Sequence, residues 1–258
     1  MCGRFASFRN AQDVGDDVAI AELAEDARLL PPSWNVAPTD DVRIVVERPA
    51  RTEAGPSTGE LTRSLQLARW GLVPSWSKDP SGGARMINAR GETLLDKPAF
   101  AKPLGVRRCL VPADGYYEWR KLPLPPGAKP TAKAPKQPYW IHRDGEPVLF
   151  AGLYEFWRDR SKADDDPARW LVSTTIVTTA ASAPMAHIHD RMPLALPSSV
   201  WDAWLDPAVG AEQAAGLLSR PVDAFALRPV TSLVSSVSNN GPSLLEPDPE
   251  PADAELPS

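Results

Sequence analysis

The chain has 258 residues and 43% hydrophobic content, enough to bury a sizeable core as one large domain or two small ones. No stretch approaches the ~20 apolar residues that span a bilayer, and the amino terminus lacks a basic-then-apolar secretory pattern, so a cytoplasmic protein without a membrane partner is expected. The net charge of −5 argues against a nucleic-acid partner, yet Glu246, Asp248, Glu250, Asp253 and Glu255, in a tail without Lys or Arg, account for all of it. Residues 1–241 are therefore neutral, which leaves room for a local basic groove.

In chain order, residues 13–30 predict a helix, and β-branched or aromatic runs bounded by Pro, Gly or Asp predict strands at 43–47, 64–70, 108–112, 115–120, 139–142, 148–153 and 170–179. Pro197, Ser198 and Ser199 cap a helical segment with Val200, Trp201, Trp204 and Leu205 on one face, and residues 211–218 predict another helix. Three loop insertions are expected, near 51–62, 122–138 and 159–167. The second has six prolines in seventeen residues, a density incompatible with a sheet interior. The Pro- and acid-rich segment 242–258 is expected to be disordered. Strands joined mostly to strands imply an α+β fold: one domain over 1–241, built on a largely antiparallel, barrel-like sheet with a few peripheral helices. With only Cys2 and Cys109, disulfides do not hold this fold.

Cys2 carries the most distinctive chemistry. Once Met1 is removed, it presents an α-amine, of typical pKa about 7.7–8.0, and a thiol, near 8.5, on adjacent carbons. Such a 1,2-aminothiol captures an aldehyde as a Schiff base, which the sulfur closes into a thiazolidine. The alternative is a small residue near a flexible terminus.

Further segments set polar groups within apolar, turn-bounded sequence: Met1-Cys2-Gly3-Arg4-Phe5, Trp34-Asn35-Val36-Ala37-Pro38-Thr39, Ile87-Asn88-Ala89-Arg90, Gly115-Tyr116-Tyr117-Glu118-Trp119 and Ile188-His189-Asp190-Arg191-Met192-Pro193. Together with Trp70-Gly71-Leu72-Val73-Pro74-Ser75-Trp76 and the run from Arg107 to Asp114, they closely resemble the SRAP (SOS response-associated peptidase-like) family, in order from residue 1 to about 230. The resemblance implies capture of abasic sites in single-stranded DNA by a thiazolidine crosslink to the ring-opened sugar, shielding the lesion. It places the family's functional positions on Cys2, Asn88, Glu118 and His189, with Arg4 and Arg90 among the phosphate contacts.

The chemistry of each residue fits such roles, with a structural alternative beside each. Glu118 follows two aromatics, and burial would raise its pKa and suit it to shuttle protons to and from the Cys2 amine; on a solvated strand face it would do neither. His189 can protonate the sugar ring oxygen as the hemiacetal opens, and Arg191 would share its face in an extended segment. Asn88 offers donors and an acceptor, or caps a turn. Arg85, Arg107 and Arg108 extend the set of candidate phosphate contacts, although any arginine is also a common ion-pair partner. Trp70 and Trp76 are candidates for stacking on bases, Asn35 for the wall around Cys2, and Cys109 for a buried structural thiol. His187 and His189 could suggest a metal pair, but without a CxxC or a second His cluster no metal is expected, and no cofactor. A monomer is expected, at the nucleoid when DNA-bound. Two rivals remain: an N-terminal-nucleophile amidohydrolase, which also matures to a Cys followed by Gly, and a non-covalent single-stranded DNA-binding module.

Overall fold

The computed structural model describes residues 2–49 and 60–251, apart from 125, 128, 130 and 132. Among these residues the strands, in chain order, are β1 (Arg4–Ser7), β2 (Glu22–Leu23), β3 (Ser33–Val36), β4 (Asp41–Pro49), β5 (Leu61–Trp70), β6 (Asn88–Arg90) and β7 (Arg108–Ala113). They continue with β8 (Gly115–Lys121), β9 (Lys136–His142), β10 (Val148–Arg158), β11 (Trp170–Ala180), β12 (Arg191–Pro193) and β13 (Ala226–Pro229).

Five long strands close on themselves. Antiparallel ladders run β11-β10-β7-β4-β5, and a parallel pairing of β5 with β11 at Arg69–Ser173 and Trp70–Thr174 completes the ring. The expected barrel is thus present in an α+β chain, closed by one parallel seam. A second, five-stranded sheet in the order β13-β9-β8-β1-β3 packs against it. Strand alternation explains the packing. Cys109 and Val111 on β7, Ile44 on β4 and Phe150 on β10 join a core shared with Phe5, Tyr116 and Ile141 of the second sheet. The intervening Leu110, Val45 and Leu149 meet a second core containing Leu104, Trp204 and Ala214 from the short helices Pro98–Val106, Trp201–Leu205 and Ala211–Leu217. With both faces covered, β7 is buried along its whole length, which is why its sequence after Arg108 reads as an apolar run from Cys109 to Ala113.

Four sequence expectations need correction. The helix over 13–30 is instead two helices, Ala11–Asp17 and Glu25–Leu29, separated by β2. Ala19 reverses the chain at φ +52°, and Ala21 and Ala24 donate to the carbonyls of Arg63 and Leu65, so pairing with β5 outweighs helical periodicity. Pro138 lies inside β9 between two strands: its carbonyl accepts the Val230 N–H at 3.0 Å, and the strand tolerates the missing donor. The loop expected over 122–138 accordingly ends before Lys136. Residues 242–251 are packed rather than disordered. Leu244 is buried, Val230 bridges to Pro247, and the Asp248 N–H reaches the Pro229 carbonyl at 3.0 Å, because two adjacent leucines supply an anchor that average composition conceals. Of the remaining boundaries, 51–59 and 252–258 fall outside the described residues.

The turn after β5 uses glycine for a steric reason. Gly71 has φ +128°, and a side chain there would meet the Gly83 carbonyl oxygen at 2.6 Å, while one at Gly83 would meet the Gly71 oxygen at 2.5 Å. The two backbones lie in direct contact and fasten the ends of the loop that carries Trp76.

Candidate active site

β1 runs antiparallel to β8 with Arg4 opposite Tyr117 and Phe5 opposite Tyr116, so the chain before Arg4 is led towards Glu118 on β8. On the barrel, β6 pairs in parallel with β11 through Asn88 and Ile176. From there the Asn88 Nδ2 donates to the Cys2 carbonyl at 2.7 Å, across 86 residues of sequence. The Asn88 Oδ1 is buried and accepts no hydrogen bond among the described residues. His189 follows the short helix Ala183–Ala186, and its N–H donates to the Met185 carbonyl at 3.0 Å. The Met185 Sδ in turn accepts the Tyr116 hydroxyl at 3.2 Å, tying the His189 loop to the strand that bears Glu118.

These elements surround a cleft of about 380 Å³ lined by Gly3, Arg4, Glu118, Trp119, Lys121, Lys136 and His189. Glu118 is 7% exposed. Burial pushes its carboxyl above the usual carboxylate range, and His189 pulls in the opposite direction. Cys2 is fully buried, with its Sγ 3.6 Å from the Arg4 carbonyl. Desolvation, and then the Glu118 charge, hold its thiol far above the ordinary range, so the sulfur is protonated at neutral pH. Tyr116 is raised by burial and by the charges of Cys2 and Glu118, a further sign that the three groups sense one another. Two contacts compete for the His189 Nδ1. The Arg191 N–H donates to it at 3.0 Å, which puts the proton of a neutral ring on Nε2; the Asp190 Oδ1, 2.8 Å away, becomes a hydrogen-bond acceptor only when Nδ1 is protonated. The site therefore brings together a cysteine, an amide gripping its carbonyl, a carboxyl whose proton is retained to higher pH, and an imidazole. That set can exchange protons during carbonyl addition and water loss.

The other predicted contacts divide into two groups. Trp76 is 57% exposed, and Arg85 and Arg90 are exposed. Arg4 lines the cleft while its Nη1 donates to the Asn35 Oδ1 at 2.7 Å and the Val234 carbonyl at 3.0 Å. Turned inward are Trp70, Asn35, Arg107, Arg108 and Arg191. Trp70 is fully buried, with its Nε1 on the Ile87 carbonyl and its ring 5.0 Å from Phe5, so it cannot stack on a base. Asn35 Nδ2 clamps the carbonyls of Val234, Ser236 and Asn239. Arg108 is 3% exposed and donates to the carbonyls of Leu104, Trp204 and Asp206, which fastens helix ends to the barrel. Arg107 pairs with buried Glu155 at 2.8 Å, and Arg191 grips Glu92 bidentately at 2.6 and 2.9 Å and the Thr178 carbonyl at 2.8 Å. Arg191, expected to share the face of His189, instead commits its guanidinium to Glu92 and Thr178. Sequence reasoning missed Lys121 and Trp119 as cleft residues, and it set Lys136 in the Pro-rich loop, where a solvated position outweighed a place in a DNA groove. Lys121 lies two residues beyond the Gly115–Trp119 motif on the same strand, whereas Lys136 reaches the cleft through its pairing with Lys121.

The SRAP family model, described as SOS response associated peptidase, matches residues 1–237. The protein named abasic site processing protein YoqW, of Bacillus subtilis (strain 168), is 36% identical over 248 residues, covering 95% of this chain and 99% of its own. A protein of Bacteroides thetaiotaomicron superposes with TM-score 0.74 at 23% identity, over 96% of this chain and 100% of that one, a likeness of fold alone. A phage-related protein of Bordetella bronchiseptica, 32% identical, superposes with TM-score 0.61 over the same shares.

Proposed function

Because the chain belongs to the SRAP family, we propose that it processes abasic sites in single-stranded DNA by forming a thiazolidine crosslink through Cys2 after removal of Met1. The observation that carries this reading is the grip of Asn88 on the Cys2 carbonyl at 2.7 Å beside a cleft lined by both Glu118 and His189. The name of the Bacillus relative supports the same substrate.

In the proposed sequence, His189 donates a proton to the sugar ring oxygen, the hemiacetal C–O bond breaks, and the proton of the anomeric hydroxyl passes through water back to the imidazole, leaving the aldehyde. The Cys2 amine adds to the aldehyde carbon, Glu118 relays the amine proton to the departing hydroxyl, and one water leaves as the imine forms. The sulfur then bonds to the same carbon while the thiol proton passes to nitrogen. The balance is one protein plus one abasic strand minus one water. A buried, protonated thiol suits this order, with the amine attacking first and the sulfur closing the ring onto an activated imine. An abasic site has no base edge to read, so affinity rests on backbone charge and stacking and weakens with salt.

Incubation with an abasic single-stranded oligonucleotide tests this. A conjugate that resists denaturation, is absent in Cys2→Ala, and has the intact mass of the sum less one water is expected. Salt-reversible binding alone would overturn the covalent reading and favour the non-covalent module.

A further inference from the structure

The β8–β9 hairpin ends in two lysines, Lys121 and Lys136, that face each other as Cα partners in antiparallel register. Directly opposed residues in such a ladder have Cβ atoms about 4.5–5.5 Å apart, and like charges at that spacing repel. The hairpin does not splay to relieve this: the Leu122 N–H continues the pairing onto the Pro135 carbonyl at 2.9 Å. Both side chains are exposed, and among the described residues neither ammonium group has an ion-pair partner. Both line the cleft of Glu118 and His189.

The charge balance of that cleft points the same way. Among the described residues, three basic side chains, Arg4, Lys121 and Lys136, line it with one carboxyl, Glu118, whose ionisation burial opposes. On a chain of net charge −5 this is a local concentration of positive charge at the mouth of the proposed reaction site. Arg4 spends part of its guanidinium on Asn35 and Val234, whereas the lysines are uncommitted within the described structure. An anion placed between them would turn their mutual repulsion into shared attraction.

We propose that Lys121 and Lys136 form a phosphodiester clamp that holds the DNA backbone next to the lesion and so draws the abasic sugar into the cleft. The proposal rests on the reading of DNA as the substrate of this cleft, and it adds a residue pair and a path for the strand along the β8–β9 hairpin.

The test uses the full chain and a single-stranded oligonucleotide with a tetrahydrofuran abasic analogue, which has no aldehyde and cannot crosslink. At ~0.7 unit of salt slope per neutralised phosphate, Lys121→Gln with Lys136→Gln should flatten the plot of log affinity against log salt by about 0.7 and weaken binding roughly fivefold at ~0.1 M salt. Lys121→Arg with Lys136→Arg should keep the parent slope. An unchanged slope in the Gln variant, equal weakening at every salt concentration, or no salt-dependent binding by the parent protein overturns the clamp. Failure of the parent protein to crosslink true abasic DNA, with the slope difference intact, would overturn the covalent reading and leave the clamp standing.

Discussion

The regions around the two cysteines share more than their positions in sequence suggest. Cys2 and Cys109 are both fully buried, and desolvation pushes both thiols up, Cys109 to about 12. Cys109 lies in the barrel core, with its Sγ 3.4 Å from the Thr174 hydroxyl and closely packed against Gly152. Around Cys2 stand Asn88 and Tyr116, with Glu118 close enough to act on the thiol. Thiol acidity thus does not separate the two. What separates them is the set of neighbours able to move protons, and an adjacent cleft that a substrate can enter.

The largest break in that comparison is expected from removal of each thiol. Cys2→Ala should abolish the denaturation-resistant conjugate, while Cys109→Ala should form it and lose stability by ~1–2 kcal/mol, read from denaturant midpoints. Conjugation that survives Cys2→Ala and fails in Cys109→Ala would reverse the assignment.

Glu118→Gln sharpens the role of the neighbours. Loss of a general acid–base group predicts conjugation slower by about 10²–10⁴ with DNA binding largely retained, measured by single-turnover gel assay beside equilibrium binding. In the parent protein the rate should fall with decreasing pH through a value above the ordinary 4.5 of a glutamate, because burial raises the carboxyl, and this limb should vanish in the Gln variant. The stability consequence has a definite sign. With the folded value raised, the folded state holds the proton more tightly, so stability declines as pH rises from about 4.5 through the folded value and is undiminished below it. Glu118→Gln should therefore raise Tm at pH 7 relative to the parent, and the gap should narrow in acid. A Tm gap that widens in acid would contradict the buried, proton-retaining carboxyl.

Smaller effects are expected at the margins. Asn88→Ala removes the hydrogen bond to the Cys2 carbonyl and should cost about 0.5–1.5 kcal/mol of stability, with conjugation slowed through loss of orientation. Unaltered conjugation kinetics would remove Asn88 from the site. Trp76→Ala should weaken binding of single-stranded DNA by ~1–3 kcal/mol if its exposed ring stacks on a base. Unaltered binding would leave Trp76 as an exposed loop residue.

Much of the fold was legible in the sequence because a strand needs only local alternation and turn punctuation. Each of the seven predicted strands lies within an observed one, and the apolar face of Val200, Trp201, Trp204 and Leu205 became a helix packed on the barrel. The six other described strands were not predicted: β1, β3 and β13 of the second sheet, and the shorter β2, β6 and β12. The last three have two or three residues each and exist because a distant strand, β5 or β11, offers a free edge. The same limit explains the site. Asn88 and His189 could be singled out by motif, but their meeting with Cys2 and Glu118 depends on two sheets packing together.

By itself the sequence determined which chemical groups are available: a cysteine at position 2, a glutamate within an aromatic run, a histidine near a charged turn, and more arginines than lysines. Tertiary structure alone decided how those groups are used. A guanidinium satisfies a phosphate and a carbonyl or carboxylate with the same donors, so composition cannot tell Arg85 and Arg90, left on the surface, from Arg108 and Arg191, consumed by internal partners. Nor can it show that the cleft beside Glu118 is lined by two lysines from opposite arms of one hairpin, Lys136 within the predicted Pro-rich loop and Lys121 just before it. Folding makes that selection, because burial forces every inward-turned charge to find a partner and leaves for function those that do not.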